Sequence, residues 1–298
     1  HTLMASQPDE PAEEKGGFRP TFRKVADLFL DEGKRTKEPG TYEVQRYYLQ
    51  SFCDHIRNKR VHDLKVHMAT EWIASHPDWG QSTCTTARSI VRACLNWAVE
   101  QGYIPANPLA KLKRGDFARR ERILSKAERQ AIAGAVTDTF RDFAFALEQT
   151  GCRPFSEMSR VTAGMVDFAA GSITLAKHKT AKKGKTRTIY LTPPLLGLLR
   201  RLSAEHPTGP LFRTRSGNRW TQGSAAKQMV KACDRLGIPR AGCYAYRHTY
   251  ITEALAKGMS ASIVAELVGN SPATIHKYYS HLDQRKDELR EAARLAAP

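Results

Sequence analysis

Two arginines in the second half of the chain stand in settings suited to binding a phosphate. Arg153 lies between Gly151, where one helix is predicted to end, and Pro154, after which another is predicted to begin. Backbone N–H groups point outward at such a junction, and a guanidinium can grip two phosphate oxygens at once. Tyr244 and Arg247 are three residues apart, which puts them on one face of a predicted helix start. Taken singly, each stretch also fits an ordinary turn arginine or a buried tyrosine beside a surface arginine.

A third stretch places two tyrosines late in the printed sequence. Gly269 is predicted to end one helix, Pro272 to begin the next over about 273–282, and Tyr278 and Tyr279 lie within it. Adjacent helical residues point about 100° apart, so only one of the two hydroxyls can face a given ligand. A tyrosine on a helix is usually packing, so this stretch indicates chemistry only in combination with the other two.

The charge of the chain favours a polyanionic partner. The 298 residues include 47 Lys and Arg against 30 Asp and Glu, a formal net charge of +17 with a pI near 9.8. Such an excess attracts nucleic acid, and counterion release would supply much of the binding energy. An anionic membrane surface is the alternative, although no run approaches the roughly 20 apolar residues of a membrane span.

The cysteines argue against two kinds of structural site. They are scattered, with no Cys-x-x-Cys pair and no clustered histidines: Cys53, Cys84, Cys94, Cys152, Cys233 and Cys243. We therefore expect no metal site and no disulfide framework, but reduced, mostly buried thiols in a cytoplasmic protein.

The first part of the chain is predicted to be all-helical. Residues 1–20, rich in Pro, Glu and Gly, are predicted to be a disordered lead or a tag. Apolar stripes then predict helices from Phe22, from Thr41, near His67–Ser75 and over Gln81–Glu100. Residues 21–110 are thus predicted to form one helical domain.

A basic connector, residues 111–122, follows. Its cations are Lys111, Lys113, Arg114, Arg119, Arg120 and Arg122. Ser125 and Glu128 have capping-box spacing and are predicted to begin a new helix, so a second domain is predicted over 123–298. The connector fits a plain solvated linker as well as a strap over DNA phosphates, and its own sequence leaves both open.

The second domain is predicted to be mostly helical with one small β interruption. Strands are predicted over Val166–Phe168, Ser172–Ala176 and Thr188–Leu191, followed by helices from Pro194. The hairpin tip between the last two strands carries six basic residues and no acid: Lys177, Lys179, Lys182, Lys183, Lys185 and Arg187. Such a tip repels itself unless it is solvated or faces phosphates, so it is a predicted DNA contact.

The order and spacing of these stretches together resemble the tyrosine recombinase (phage integrase) family. Thr150–Arg160 matches the family's first arginine box, and Tyr246-Arg247-His248-Thr249 matches the second. Val264–Gly269 and Tyr279-Ser280-His281-Leu282 match the third. The helical module before Pro105 also looks like the family's core-binding domain, so the resemblance covers about residues 22–290.

The resemblance implies a role for each matching residue. Arg153 and Arg247 would bind the non-bridging oxygens of the scissile phosphate and stabilise its pentavalent transition state. Tyr279 would be the nucleophile, giving a 3′-phosphotyrosyl intermediate and a free 5′-hydroxyl. Lys179 would protonate the leaving 5′-oxygen, and Glu157 would support the site.

Some assignments within the resemblance have alternatives. Lys177 and Lys182 are the other candidates for the hairpin lysine, and Tyr278 for the nucleophile, although the Tyr-x-His spacing selects Tyr279. Tyr244 replaces the family histidine three residues before the second arginine. Asn270 stands where the family has His or Trp. Both can hydrogen-bond a phosphate oxygen, but a phenol is a poorer base than an imidazole, so activity is expected to be kept but slower.

The resemblance also implies the fold, the reaction and the partners. The expected fold is mainly α: an N-terminal helical core-binding (SAM-like) domain and a mixed α/β, mostly helical catalytic domain with a small antiparallel sheet. The reaction conserves bond energy, so no cofactor, nucleotide or metal is expected. The partners would be double-stranded DNA and further copies of the chain, a tetramer on DNA, in the cytoplasm at the nucleoid. Residues 284–297 would form a helix that docks on a neighbouring copy or packs on its own domain.

Two other functions remain open at this point. A type IB topoisomerase uses the same chemistry as a monomer, but the N-terminal helical module favours a recombinase. A DNA-binding protein that does not cut is the second alternative, because a helix-turn-helix reading of 262–282 is possible and Tyr244 and Asn270 depart from the family pattern.

Overall fold

The fold is described from a computed structural model, over residues 19–113, 115, 122–175 and 187–279. For Tyr278 and Tyr279 only the backbone is described. The contacts divide the chain into two compact units, with the division between Arg119 and Arg120. That division falls within the basic connector.

The first unit is helical. Its helices are α1 (Phe22–Thr36), α2 (Pro39–Ile56), α3 (Val66–Ala74) and α4 (Gln81–Glu100), with a 3-10 turn at Val61–Asp63. They match the four predicted helices in order. The second begins at Pro39 rather than Thr41, since proline fits the first helical turn, where its missing N–H is not needed.

Aromatic side chains form the core of the first unit. Trp72, Phe22 and Phe52 are fully buried, and their rings meet edge-on or tilted at about 5 Å between centroids. The Trp72 indole N–H donates to Ser51 Oγ at 3.0 Å, so the one polar atom of this buried side chain has a hydrogen-bond partner.

Most of the described residues of the second unit lie in helices. They are α5 (Lys126–Ala135), α6 (Asp138–Thr150), α7 (Pro193–Glu205), α8 (Gln222–Leu236), α9 (Tyr244–Ala256), α10 (Ala261–Val268) and α11 (Pro272–Tyr279). The capping box predicted at Ser125 and Glu128 is present at the start of α5. The mainly α fold class with a small sheet is confirmed.

The sheet is antiparallel with the order β1-β2-β3. Its strands are β1 (Val166–Asp167), β2 (Ser172–Leu175) and β3 (Arg187–Tyr190). Ile173 of β2 pairs with Ile189 of β3, and both side chains are buried. Among the described helices, none is both long and apolar enough to cross a bilayer.

One predicted helix is wrong. After Pro154 the chain makes a turn and then a 3-10 helix, Met158–Arg160, instead of an α-helix. The Glu157 carboxylate accepts a hydrogen bond from the backbone N–H of Arg153 at 2.7 Å, and Glu157 has φ −120° and ψ −82°. The Glu157 carboxylate therefore caps the turn at Arg153, and the backbone of Glu157 leaves the α-helical conformation.

Helix α9 lies in contact with α6 and with α10 in the second unit. A buried apolar cluster joins α9, α10 and α11 through Ile251, Val264, Val268 and Ile275. At its N-terminal half α9 carries the second arginine box, and α10 and α11 carry the third. The packing of these helices therefore places the second box close to the segment of the third box that lies on α10.

Candidate active site

Arg153 is placed by the end of helix α6. Gly151 ends that helix in the left-handed conformation, with φ 58°, and a Cβ there would lie 2.5 Å from the Tyr250 ring. Only glycine fits this close approach, so the chain turns sharply and presents Arg153 two residues later. The Arg153 side chain is 17% exposed, accessible at the surface of the second unit.

The Arg153 guanidinium is held by two acceptors. Nη1 donates to Glu157 Oε1 at 2.6 Å, and Nη2 donates to the carbonyl oxygen of Gly269 at 2.6 Å. Glu157 is 1% exposed, so its carboxylate faces Arg153 in a setting that water screens poorly. The support predicted for Glu157 has a geometric basis in these contacts.

Arg247 is held at the same helix end. It lies in the first turn of α9, is 6% exposed, and donates from Nη1 to the carbonyls of Gly151 at 2.9 Å and Val268 at 2.6 Å. The two box arginines thus bind successive carbonyls, those of Val268 and Gly269.

A third arginine extends this series. Arg187 donates from Nη1 to the carbonyl of Glu266 at 2.9 Å and from Nη2 to that of Leu267 at 2.7 Å. Four successive carbonyls, 266 to 269, therefore accept hydrogen bonds from three guanidinium groups. The last carbonyls of a helix have no intrahelical partner and carry the negative end of its dipole, which suits cations.

The placement of Arg187 corrects one prediction. The sequence suggested that Arg187 contacts DNA at the hairpin tip, but its guanidinium is 6% exposed and bonded to backbone carbonyls. The cause is strand alternation: Arg187 and Ile189 share the buried face of β3. The prediction began this strand at Thr188, one residue late. Read from Arg187, the alternation of β3 would have indicated the inward position.

Gly269 allows Arg187 to approach the end of α10 closely. It has φ 68°, and a Cβ at this position would lie 2.7 Å from Arg187 Nε. Every larger residue would therefore push the Arg187 guanidinium away or be strained in the left-handed conformation.

The two residues that depart from the family pattern are both accessible. Tyr244 is 45% exposed at the first position of α9, and its ring packs edge-on against Phe155 at 6.4 Å. Asn270 is partly exposed, and its backbone N–H donates to the carbonyl of Ala265 at 2.7 Å. The side chains of both can reach a ligand at the surface of the second unit.

Tyr279 is the last residue of α11. Ile275, one turn earlier, is 1% exposed in the cluster with Val264 and Val268, which anchors α11 on α10. The side chains of Tyr278 and Tyr279 lie outside the described structure, as do several predicted contacts: Lys177, Lys179, Lys182, Lys183, Lys185, Arg114, Arg119 and Arg120. Lys111 and Lys113 are exposed at the end of the first unit.

The electrostatics of the site follow from its burial. Burial lowers the pKa of Arg187 from its usual value, and the Glu157 carboxylate opposes that effect. Burial raises the pKa of the Cys152 thiol to about 12, and Glu157 adds to the rise. Within the described residues no group of three His, Cys, Asp or Glu side chains could hold a metal ion. In the described cluster Arg153 and Arg187 face the buried Glu157 carboxylate, and Arg247 donates to backbone carbonyls.

Comparison with known proteins assigns the family. The family model of the phage integrases matches residues 119–286, which is more than half of the chain. The chain belongs to the phage integrase family. It is accordingly a tyrosine recombinase, an enzyme of site-specific DNA recombination.

Individual relatives agree with this assignment. The chain is 27% identical over 210 residues to "Tyrosine recombinase XerC" of Yersinia pestis, which covers 65% of this chain and 67% of that protein. The Tn1549 transposon integrase, solved in complex with transposon right end DNA, has a TM-score of 0.74 at 18% identity, covering 92% and 99% of the two chains. A lambda integrase tetramer bound to a Holliday junction gives 0.69 at 15%, covering 84% and 77%. At these identities the two structures show a shared fold.

Proposed function

We propose that this recombinase cuts and rejoins double-stranded DNA through a covalent bond between Tyr279 and a 3′-phosphate. One observation carries the proposal: Arg153 and Arg247 are fixed on the carbonyls of Gly269 and Val268, three and four residues before the start of the helix that ends in Tyr279. Two guanidiniums held at one helix end form a site for a single phosphate group.

The arginines would bind the scissile phosphate and stabilise its charge. A guanidinium has five N–H donors. In the described residues two of those of Arg153 are engaged, by Glu157 and Gly269, so three remain for phosphate oxygens. Because Arg153 is held in place before DNA arrives, little reorganisation is needed when the pentavalent transition state forms.

In the proposed cleavage step the Tyr279 oxygen attacks phosphorus and gives its proton to water, the bond from phosphorus to the 5′-oxygen breaks, and the 5′-oxygen takes a proton from Lys179. Rejoining is the reverse, with the 5′-hydroxyl of the partner strand as the nucleophile. One phosphoester replaces another, so the reaction requires no nucleotide, cofactor or metal ion.

Tyr244 and Asn270 would complete the phosphate site. Both residues can donate a hydrogen bond, and their exposure fits that task better than it fits a role in the core. A phenol is a poorer base than an imidazole and an amide is not a base, so we assign both residues to binding the phosphate and not to proton transfer.

The wider DNA contact is proposed from charge. We propose that the lysines of the hairpin, 177, 182, 183 and 185, and the connector cations Lys111, Lys113, Arg114, Arg119 and Arg120 bind DNA phosphates. We further propose that residues 21–110 act as the core-binding domain, 123–298 as the catalytic domain, and that the active species is a tetramer on DNA at the nucleoid. The lambda integrase solved as a tetramer on a Holliday junction supports the last point.

A nicked suicide duplex tests the proposal. The duplex is built from DNA fragments recovered with the bound protein, and a nick beside the cleavage position lets the released strand diffuse away. We expect an SDS-resistant protein–DNA adduct in buffer containing EDTA. Tyr279→Phe should abolish the adduct, and the matched variant Tyr278→Phe should keep it.

The outcomes also separate the two other functions. Binding without any adduct would identify a DNA-binding protein that does not cut. Relaxation of supercoiled DNA without preference for a site would identify a topoisomerase. An adduct that persists in Tyr279→Phe and disappears in Tyr278→Phe would move the nucleophile by one residue.

A further inference from the structure

Arg187 belongs to none of the three boxes that carry the family resemblance, yet it binds the same helix end as the box arginines. Its guanidinium connects two elements: Nη1 donates to the carbonyl of Thr188 on its own strand at 2.8 Å and to that of Glu266 on α10 at 2.9 Å. Nη2 donates to Leu267 at 2.7 Å. One side chain thus joins β3 to the last turn of α10.

The contacts of Arg187 continue directly into those of the catalytic arginines. The next two carbonyls after Leu267 belong to Val268 and Gly269, the acceptors for Arg247 and Arg153. Because these four carbonyls lie on one backbone segment, a shift at 266–267 displaces both anchors.

Arg187 is coupled to Arg153 by a second route, through Glu157. Glu157 Oε1 lies 2.6 Å from Arg153 Nη1 and 3.9 Å from Arg187 Nε, the latter an ion-pair contact too long for a hydrogen bond. The Arg187 side chain also occupies the space beside Gly269, whose added Cβ would meet Nε at 2.7 Å. The carboxylate that orients Arg153 therefore balances two guanidiniums.

Packing alone does not account for an arginine at this place. Its neighbour on the same strand face, Ile189, shows that an apolar side chain suits the interior of the second unit. Burying a cation costs more than burying such a side chain unless specific acceptors compensate, and here the acceptors are the carbonyls of the α10 terminus. The next two carbonyls of the same segment, those of Val268 and Gly269, hold the catalytic arginines.

We propose that Arg187 is a positioning residue for DNA cleavage, which fixes the C-terminal end of α10 so that Arg153 and Arg247 meet the scissile phosphate. It acts through these two residues and does not itself touch DNA. The proposal rests on the phosphotyrosyl reaction proposed above. It predicts that loss of Arg187 slows the chemical step and leaves DNA binding intact.

The first experiment compares Arg187→Met and Arg187→Lys with the wild type on the nicked suicide duplex at saturating protein. We expect Arg187→Met to cut at least about 30-fold more slowly, a smaller loss than the roughly 10²–10³-fold that follows when a donor to the transition state is itself removed, with a Kd for DNA within about 3-fold of the wild type. Arg187→Lys keeps the positive charge but replaces the planar guanidinium with a single ammonium group, so its cleavage rate should lie between those of Arg187→Met and the wild type. Arg201→Met, at a half-exposed arginine paired with Asp142 and Glu205 on α6 and α7, is the matched control and should cut at the wild-type rate.

The second experiment tests whether the loss of cleavage rate in Arg187→Met arises from displaced Arg153 and Arg247. Arg187→Met is introduced into an Arg153→Lys background, where the first guanidinium is already missing. A positioning residue that acts through both arginines should then slow cleavage by a clearly smaller factor than in the wild-type background, because only the part that acts through Arg247 is left. A general loss of folding would instead multiply the two defects.

A neutral substrate gives an independent readout. With a methylphosphonate at the scissile position, one anionic oxygen is absent, so guanidinium placement matters less to the transition state. The defect of each Arg187 variant should therefore shrink relative to the wild type on the same substrate. Thermal unfolding midpoints confirm which variants are folded, and Arg187→Lys serves if Arg187→Met is not.

Three results would overturn the proposal: a wild-type cleavage rate in folded Arg187→Met, a multiplicative defect in the Arg153→Lys background, or a change in the Kd for DNA that accounts for the whole loss. A wild-type protein that forms no adduct on any duplex would instead refute the reaction itself. The two failures are therefore distinguishable.

Discussion

Arg153 and Glu157 are joined twice across a single turn of chain. The backbone N–H of Arg153 donates to Glu157 Oε2 at 2.7 Å, and its guanidinium donates to Oε1 at 2.6 Å. The carboxylate therefore fixes the backbone and the side chain of the same residue. This double contact sets the direction of the Arg153 guanidinium before DNA is present.

Replacing Glu157 should destabilise the second unit and slow cleavage. In Glu157→Gln one carboxylate oxygen becomes an NH2 group that faces another donor, and two nearby guanidiniums lose their counter-charge. We expect the free energy of unfolding to fall by about 3 kcal/mol, as when one partner of a buried ion pair is removed. Urea denaturation measures it.

The control for this change is Glu205→Gln in the exposed pair with Arg201, which should cost less than about 0.5 kcal/mol. Equal effects of the two substitutions would contradict the importance of burial at Glu157.

Gly151 should not tolerate a side chain. In Gly151→Ala the new Cβ lies 2.5 Å from the Tyr250 ring, and φ is 58°. We expect a loss of about 2 kcal/mol or more from strain and overpacking, with slower cleavage because Arg153 follows two residues later. Gly197→Ala, in the middle of α7 with no atom within 4 Å of the added Cβ, should instead be neutral or stabilise by up to about 1 kcal/mol. Thermal unfolding of both variants separates local strain from a general effect of alanine.

Thr249 should matter for stability through its hydroxyl. Its Oγ1 accepts a hydrogen bond from the backbone N–H of Leu124 at 2.8 Å, and Arg129 Nη1 donates to the Leu124 carbonyl at 2.7 Å. Both backbone polar groups of Leu124 are therefore hydrogen-bonded to side chains. Thr249→Val keeps the shape but leaves a buried N–H without an acceptor, which should cost about 1–3 kcal/mol. Thr249→Ser keeps the acceptor and should lose much less. If Val and Ser variants unfold at the same urea concentration, the hydrogen bond to Leu124 is unimportant.

The stability of the second unit should fall at alkaline pH in a way that depends on Cys152. Burial raises the pKa of its thiol from 9.0 to about 12. The unfolded chain therefore ionises this thiol first, so its contribution to stability is complete below pH 9 and is lost as the pH rises towards 12. In Cys152→Ala the free energy of unfolding should decline less steeply over that window, by up to about 1.4 kcal/mol per pH unit.

Cys243 provides a second case, since burial raises the pKa of its thiol to about 12 as well. Cys243→Ala should reduce the slope in the same direction. Identical slopes in the wild type and both variants, measured by urea denaturation between pH 8 and 11, would contradict these pKa shifts.

The sequence predicted the elements well where short-range physics decides them. The helix Gln81–Glu100 has the predicted bounds, and the capping box at Ser125 and the helix end at Gly269 are present as predicted. Each depends on an apolar period, a side-chain cap or a left-handed glycine that residues within one turn determine. The family resemblance likewise rested on spacings within the chain.

The sequence did not predict which side chains bond to backbone groups. A helix was expected after Pro154, because nothing nearby in the sequence shows that the Glu157 carboxylate bonds back to Arg153. Arg187 was taken for a surface cation, because its acceptors, the carbonyls of Glu266 and Leu267, lie about eighty residues later in the chain. Backbone acceptors leave no mark in a sequence, whatever its pattern.

That same property affects how the protein can diverge. The end of α10 presents main-chain oxygens to its three arginines, and every amino acid supplies an identical carbonyl. Side chains at 266, 267 and 268 are thus free to change with the packing of α10 while the anchoring of the arginines stays as it is. Sequence variation at these positions of α10 is consequently a poor indicator of lost cleavage activity. A residue other than glycine at 269 would indicate such a loss directly, because its Cβ would displace Arg187.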